Sequence, residues 1–244
     1  MVHWFDQLPS TQDEAHRQAA DGAAHGTAIA ARFQTRGRGT RGREWTSSAG
    51  GLWLSLIARP EPGDGIPAMG LRVGLALAEF VDALLHQDRS SPCRPADLPT
   101  CRLKWPNDLL LDDRKLGGIL CEARWQGGRL GWIVIGIGLN VHNPLPQATP
   151  VAAARLADHG FSGELTGLGA AVAGLVSRVT LSTSPLTEAE LAAFAARDWL
   201  TGRAILRPRA GTAIGIAPSG RLRVALAEGG VAELEDSTGL AVGP

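Results

Sequence analysis

Hydrophobic and polar positions along the first half of the chain predict strands and helices that follow each other closely. The predicted elements are strands at 2–8, 27–33 and 51–57 and helices at about 11–21 and 68–85. The first helix is expected to open at Thr11-Gln-Asp-Glu14, which has the capping-box pattern. Residues 59–67 hold three prolines and two glycines and therefore predict a loop.

The second half begins with strand patterns and continues with two helices. The predicted elements are strands at 101–105, 108–111, 116–125 and 130–141 and helices at 166–181 and 188–199. Gln126-Gly-Gly-Arg129 predicts a hairpin turn, and Thr187-Glu-Ala-Glu190 is a second capping box. Proline-rich loops are expected at 88–99 and 143–150. Hairpins near helices, without strict alternation of strand and helix, favour a mixed sheet in an α+β domain.

From Gly202 onwards, short apolar runs alternate with glycine and proline. This pattern predicts a small β-barrel of four or five strands. We therefore expect a boundary near residue 200 that separates a large domain from a small C-terminal one.

The charge balance argues against a nucleic-acid partner. Lys+Arg and Asp+Glu both number 24 among 244 residues, and the pI is near 7.0, whereas a nucleic-acid binder usually carries a basic excess. The longest apolar run, around Trp132 to Leu139, is too short to span a bilayer. We expect neither a nucleic-acid nor a membrane partner.

The cysteines and the N-terminal residues indicate the cellular compartment of the protein. Cys93, Cys101 and Cys121 show no paired spacing, so a disulfide framework or a metal site is not expected. His3-Trp-Phe-Asp6 lacks the basic and apolar regions of a signal peptide. These features predict a cytoplasmic protein.

The stretch Gln34-Thr-Arg-Gly-Arg-Gly-Thr-Arg-Gly-Arg-Glu-Trp45 has the composition of an anion-binding loop. Glycines let backbone N–H groups approach an anion closely, and arginines add paired donors for carboxylate or phosphate. An arginine-rich nucleic-acid arm or a plain solvated loop would have a similar composition. Such a loop buries little apolar area, so we expect it to be mobile until a ligand orders it.

Two further motifs place polar groups at strand ends. Lys104-Trp-Pro-Asn-Asp108 is a rigid turn whose Asn and Asp either satisfy the turn backbone or project towards a ligand. Arg114-Lys-Leu-Gly-Gly-Ile119 follows, with glycines that permit close approach of a ligand or a neighbouring backbone. Gly136-Ile-Gly-Leu-Asn140 ends a very apolar strand, where the glycines either relieve packing or accept a flat ring.

Taken in order, these motifs resemble those of the biotin protein ligases. The resemblance runs from about residue 8 to 143 and rests on a Ser-Thr pair at a helix cap, then QTRGRGTRGREW, GGLWLS, KWPND, DRKLGGIL and GIGLN. It implies an ATP-dependent ligase that makes biotinyl-5′-AMP and transfers biotin to a lysine of a biotin carboxyl carrier domain. It also implies an α+β fold with a mixed-sheet catalytic domain over 1–200, related to class II aminoacyl-tRNA synthetases, and an SH3-like β-barrel over 201–244.

The resemblance also assigns roles to residues. It implies that Arg38, Lys115 and Asp108 are catalytic, with Asp108 orienting the attacking lysine or taking its proton. Biotin would contact Ser10, Thr11, Gln12, Gln34, Arg38, Gly39, Thr40, Lys115, Gly118, Ile119, Leu120 and Gly136. ATP would contact Arg38, Arg41, Trp45, Lys104, Asn107, Asp108, Gly138 and Asn140, together with Mg²⁺ whose protein ligands stay unassigned. A monomer or weak homodimer is expected.

One position departs from the family pattern. Members often carry a basic residue where this chain has Thr40, pairing with the carboxylate that corresponds to Asp108. Arg41 or Arg43 could replace that contact. The rival functions are a lipoate–protein ligase and a non-catalytic biotin-binding regulator. The Ser-Thr element begins at residue 10, so we do not expect a DNA-binding helix-turn-helix before it.

Overall fold

Two sheets and four α-helices account for the regular structure of the part of the chain that the computed structural model describes, residues 1–86, 100–145 and 152–243. The strands are β1 (Val2–Leu8), β2 (Ala28–Gln34), β3 (Leu52–Ala58), β4 (Arg102–Lys104), β5 (Asp108–Leu111), β6 (Arg114–Gln126), β7 (Arg129–Leu139), β8 (Ala204–Arg207), β9 (Gly211–Ile216), β10 (Leu222–Leu226), β11 (Val231–Leu234) and β12 (Ala241–Val242). The α-helices are α1 (Thr11–Ala20), α2 (Met69–His86), α3 (Leu165–Val179) and α4 (Glu188–Ala195). The predicted loop at 88–99 and most of that at 143–150 lie outside the described residues.

The larger sheet has seven strands in the order β1-β2-β3-β7-β6-β5-β4. β1 and β2 are parallel and are joined through α1, because parallel neighbours need a crossover connection. Every other neighbouring pair is antiparallel, and the β6–β7 hairpin turns at the predicted glycines. The predicted mixed sheet and α+β class are confirmed.

Along β7, odd-numbered side chains point to one face of this sheet and even-numbered side chains to the other. Ile133, Ile135 and Ile137 belong to the main core, which α2 and α3 cover with apolar side chains such as Val73, Leu77, Val81, Val172 and Val176. On the other face, Trp132 and Val134 pack with Ala15 and Ala19 of α1. The next two residues of β7 on that face are Gly136 and Gly138, which have no side chain. The apolar packing therefore stops there, and no β7 side chain covers the sheet at these two positions.

The second sheet is antiparallel throughout, in the order β11-β10-β9-β8-β12. Its inward residues, including Ile205 and Val224, join the same apolar core as the first sheet. Trp105 Nε1 donates to the Gly220 carbonyl oxygen at 2.9 Å, which ties the Trp-Pro turn to this sheet. The five strands match the predicted number, and the boundary near residue 200 stays a prediction.

Helix ends differ from the prediction at two places. Ser10, and not Thr11, caps α1 by accepting from Gln12 N, because the Thr11 hydroxyl bonds across to other elements. α4 ends at Ala195 rather than near 199, because the following residues run along β4, where Trp199 N donates to the Leu103 carbonyl. The Thr187 capping box is confirmed. Among the described residues, no helix is long and apolar enough to cross a membrane.

Candidate functional site

A cavity of about 860 Å³ lies on the face of the large sheet where the side chains of β7 give way to glycine. It is bounded by the start of α1, by residues 34–44, which we call the arginine loop, and by the end of the second sheet. All of the predicted site residues line it: Ser10, Thr11, Gln12, Gln34, Arg38, Gly39, Thr40, Arg41, Trp45, Lys104, Asn107, Asp108, Lys115, Gly118, Ile119, Leu120, Gly136, Gly138 and Asn140. The structure therefore brings them together, and their individual roles remain predictions.

The cavity floor is deep because glycines face it on neighbouring strands. Gly138 of β7 pairs with Gly118 of β6, and the Trp45 ring lies over both. A Cβ atom at Gly138 would lie 2.7 Å from Trp45 Cε2, and one at Gly136 would lie 2.6 Å from Gln12 Oε1. Ordinary carbon contacts are about 3.5–4 Å, so the floor admits no larger residue without displacement.

One end of the cavity is a buried polar network. Gln34 Oε1 accepts from Thr11 N at 2.7 Å and from the Thr11 hydroxyl at 3.1 Å. Gln34 Nε2 donates to Ser47 Oγ at 2.7 Å. Ser55 Oγ lies 2.9 Å from Thr11 Oγ1 and donates to Gln12 Oε1 at 3.0 Å. These groups hold one another in place, and their remaining hydrogen-bonding capacity is available to a polar ligand.

The arginine loop has more order than the sequence suggests. Arg38 and Glu44 form an isolated antiparallel bridge, and a single 3₁₀ turn spans Thr40–Gly42. Arg41 and Gly42 adopt positive φ values of 59° and 70°, which close the turn. These left-handed residues and the Arg38–Glu44 bridge fold this part of the loop into a small hairpin that lines the cavity.

Arg38 is held by two carboxylates from different elements. Its Nη1 donates to Asp13 Oδ1 and its Nη2 to Glu122 Oε1, both at 2.5 Å. Glu122 also accepts from Gln12 Nε2 at 3.1 Å and contacts His16 Nε2 at 3.1 Å. The hydrogen bonds from His16 and Gln12 and the charge of Arg38 lower the pKa of Glu122 from 4.5 to about 2, against the opposing effect of burial.

Lys115, Asp108 and Lys104 form a charged group at the other end. Lys115 Nζ lies 2.7 Å from Asp108 Oδ1 and 5.0 Å from the centre of the Trp45 ring. Burial lowers the pKa of Lys104, whereas the nearby carboxylate of Asp108 acts in the opposite direction. Lys104 Nζ also lies 4.6 Å from the Trp199 ring centre. Two ammonium groups around one carboxylate leave this end positive, as an anionic ligand requires.

The two predicted asparagines are engaged with the protein. Asn107 Nδ2 donates to the Ile119 carbonyl at 3.0 Å, and Asn140 Nδ2 to the Lys115 carbonyl at 3.4 Å. Each amide thus fixes a segment of β6 that lines the cavity. The Asn107 amide thus bonds to β6 and not to the backbone of its own turn, and its amide oxygen is left for a ligand.

The arginines next to Thr40 do not pair with Asp108, which is the contact that a basic residue at position 40 makes in the family pattern. Arg43 Nη2 donates to Thr40 Oγ1 at 2.9 Å, and Arg41 Nη1 donates to the Ser237 carbonyl at 2.6 Å. The partner of Asp108 in this structure is Lys115. Arg41 therefore ties the arginine loop to the second sheet instead of to the charged group.

Several cavity residues escaped the sequence analysis. They include Ser55 and Trp199 and, from the C-terminal end of the chain, Ser237, Leu240, Val242 and Gly243. The indole nitrogens of Trp45 and Trp199 are buried without a partner among the described residues, which is a state that a ligand acceptor would relieve. Glu122, behind the cavity, was also missed. Alternation along β6 could have found it, since it follows Gly118 and Leu120 on the same face.

The side chains of the cavity fit a metal ion that is coordinated mainly by a bound substrate. No group of three or more His, Cys, Asp or Glu side chains suited to a metal ion occurs within the described ranges. Mg²⁺ is usually bound by one or two carboxylates together with substrate phosphates and water. Asp108 is the carboxylate placed for that, beside two lysines that would contact the same phosphates.

Comparison with known proteins gives a family and a fold. The Biotin/lipoate A/B protein ligase family matches residues 4–140. The bifunctional ligase/repressor BirA of Bacillus subtilis is 37% identical over 149 residues, which are 60% of this chain and 42% of that protein. The biotin--[acetyl-CoA-carboxylase] ligase of Paracoccus denitrificans is 39% identical over 133 residues, which are 54% of this chain and 51% of that protein. The matches thus span about half the length of these relatives or less.

A solved structure extends the similarity over almost the whole chain. The biotin protein ligase of Leishmania major, solved in complex with biotinyl-5-AMP, superposes with a TM-score of 0.64 at 28% identity. The superposition covers 96% of this chain and 98% of that one. It therefore includes the second sheet as well as the first.

Proposed function

Because the chain belongs to the Biotin/lipoate A/B protein ligase family, we propose that it joins biotin to ATP as biotinyl-5′-AMP and transfers the biotin to a lysine of a carrier domain. Of the two relatives described above, one is named as a bifunctional ligase/repressor and the other as a biotin--[acetyl-CoA-carboxylase] ligase, which supports the proposal. The carrier would be a biotin carboxyl carrier domain.

The polar end of the cavity is the observation that favours biotin over lipoate. Biotin carries a ureido ring with two N–H donors and a carbonyl acceptor, whereas the dithiolane ring of lipoate has neither. Thr11, Gln12, Gln34 and Ser55 supply hydroxyl and amide groups at one end, and a ureido ring could use the remaining hydrogen-bonding capacity of these groups whereas an apolar ring could not. The ureido ring of biotin would occupy this end of the cavity, and the carboxylate of biotin would point towards Lys115.

Activation requires two anions to react. The biotin carboxylate attacks the α-phosphorus of ATP, a new C–O–P linkage forms, and pyrophosphate leaves. Lys115 Nζ, next to Asp108, would hold the carboxylate and the developing acyl phosphate, and the N–H groups of the arginine loop would add donors. Lys104 would contact the leaving phosphates. Mg²⁺ bound to the ATP phosphates and to Asp108 would supply further positive charge.

The intermediate is a mixed anhydride that water hydrolyses. The arginine loop lies over the cavity, with Trp45 on the glycine floor beneath it. Closure of this loop around the adenylate would exclude water and also hold the reactants in place, which contributes a large part of the rate.

Transfer requires a neutral carrier lysine. At an unperturbed pKa of about 10.4, only roughly 0.04% of such a lysine is neutral at pH 7. Asp108 would orient the amine or take its proton as it attacks the biotinyl carbonyl and AMP leaves. Lys115 Nζ lies 2.7 Å from Asp108 Oδ1, so the other carboxylate oxygen would accept from the incoming amine.

The test is a carrier-labelling assay with the purified chain. Biotin or lipoate is incubated with ATP, Mg²⁺ and a biotin carboxyl carrier domain, and pyrophosphate release and carrier mass are both measured. We expect labelling with biotin, and pyrophosphate release that depends on both substrates. A carrier with its acceptor lysine replaced by arginine is the control and should stay unlabelled. Labelling with lipoate but not with biotin would overturn the proposal.

A further inference from the structure

Glu122 lies on β6 behind the polar end of the cavity and is hydrogen-bonded to three side chains from two other elements. Arg38 Nη2 from the arginine loop donates at 2.5 Å, and Gln12 Nε2 from α1 donates at 3.1 Å. His16 Nε2, one turn further along α1, is also at 3.1 Å. The Glu122 side chain is 18% exposed, so these partners, rather than water, provide most of its hydrogen bonds.

The His16 contact keeps the Glu122 charge available for Arg38. Trp132 Nε1 can only donate, and it lies 3.0 Å from His16 Nδ1, which therefore acts as the acceptor. The proton of a neutral His16 is then on Nε2 and points to Glu122. A neutral histidine adds a hydrogen bond without competing for the negative charge.

Glu122 connects residues that are far apart in sequence. Arg38 is 84 residues away and Gln12 is 110 residues away. Both partners line the cavity, whereas Glu122 lies outside its lining. Gln12 continues through Ser55 and Thr11 to Gln34, so the same carboxylate is linked to the whole polar network. Displacement of Glu122 would therefore loosen the loop and the polar end together.

We propose that Glu122 is a positioning residue for the biotin end of the cavity, which aligns Arg38 over the ligand and Gln12 beneath it. The proposal rests on the proposed function for its ligand. A guanidinium has five N–H donors, of which Glu122 and Asp13 engage one each, so donors remain for a ligand carboxylate or phosphate. Glu122 acts on the ligand only through these neighbours.

Asp13 provides a matched control because it contacts the same guanidinium. Its side chain is 55% exposed, and the contact is of the exposed kind that contributes little. Glu122→Gln and Asp13→Asn each replace a carboxylate by an amide of the same shape. Only the first removes the charge that also binds Gln12.

The kinetic test measures KM for biotin and for ATP in pyrophosphate release, together with the melting temperature. For Glu122→Gln we expect KM for biotin to rise about tenfold, which corresponds to about 1.4 kcal/mol, and KM for ATP to rise by less, because ATP is expected to contact Arg38 but not Gln12. Asp13→Asn should change neither KM by more than about twofold. An unchanged KM for biotin, or an equal rise in both KM values with a lowered melting temperature, would show a merely structural role.

A second measurement needs no ligand and separates the proposal from the proposed function. Hydrogen exchange of residues 36–43 in the free protein should be faster in Glu122→Gln than in wild type, and unchanged in Asp13→Asn. Unchanged exchange in Glu122→Gln would overturn the proposal even if wild type is active. An inactive wild type would refute the biotin function, while the exchange result would still decide whether Glu122 holds Arg38. If Glu122→Gln does not fold, Glu122→Asp, which withdraws the charge by one methylene, is used in its place.

Discussion

Two glycine-to-alanine substitutions would distinguish the ends of the cavity. A methyl group at Gly138 would lie 2.7 Å from Trp45 Cε2 and 2.8 Å from its Nε1, so the ring must move by about 1 Å to restore ordinary contact. A methyl group at Gly136 would lie 2.6 Å from Gln12 Oε1 and would displace that amide instead. We expect Gly138→Ala to impair ATP binding and Gly136→Ala to impair biotin binding.

The expected loss of ligand binding follows from the cost of overpacking, because each added methyl group is forced against a neighbour that can move. Overpacking typically costs about 1–3 kcal/mol, which would weaken the affected ligand by roughly 5- to 150-fold. Alanine in a strand is favoured over glycine by about 0.5–1 kcal/mol. Because the arginine loop can yield, we expect the unfolding free energy to change by about 1 kcal/mol or less, and most of the effect to fall on the ligand.

Steady-state pyrophosphate release would give the two KM values, and thermal unfolding the stability. Gly167→Ala is the matched control, because a Cβ atom at that position of α3 meets nothing within 4 Å. It should leave both KM values unchanged. The reasoning is refuted if both cavity variants raise the two KM values equally, or if Gly138→Ala raises only that for biotin.

Four further predictions concern single groups. Lys115→Ala should slow adenylation by about 100-fold or more in single-turnover pyrophosphate release, with little loss of stability; a near-normal rate in a folded variant would remove its role. Residues 35–43 should exchange amide hydrogens more slowly with biotin and ATP than without, and equal protection would mean that no ligand closes the loop. Thr40→Arg should slow dissociation of preformed biotinyl-adenylate by about fivefold, since a charged hydrogen bond exceeds a neutral one by about 1 kcal/mol; an unchanged rate would contradict this. Because the folded pKa of Glu122 is lowered from 4.5 to about 2, its stabilising effect is present above pH 4.5 and is lost as the pH falls towards 2. Urea unfolding of Glu122→Gln should therefore show a weaker decline in stability over that range, and identical declines in both proteins would argue against the ion pair.

The sequence alone determined the features that local pattern controls. Short apolar runs bounded by turn residues predicted the strands of the large sheet, and Gln126-Gly-Gly-Arg129 predicted the β6–β7 hairpin, because strand and turn preferences depend on near neighbours. The motif order brought out the residues that line the cavity, from Ser10 to Asn140. Composition also predicted the number of strands in the second sheet, although it could not place that sheet against the cavity.

The tertiary structure alone decided which groups meet across long separations. In the sequence Glu122 is one polar position inside a predicted strand, and only the fold brings Arg38 and Gln12 to it. Thr11 lost the cap to Ser10 because its hydroxyl is drawn to Gln34. Hydrogen bonds act over about 3 Å, whereas sequence patterns report on neighbours within a turn or a strand. Residues 84 or 110 positions apart therefore become partners only after the sheet and α1 have packed.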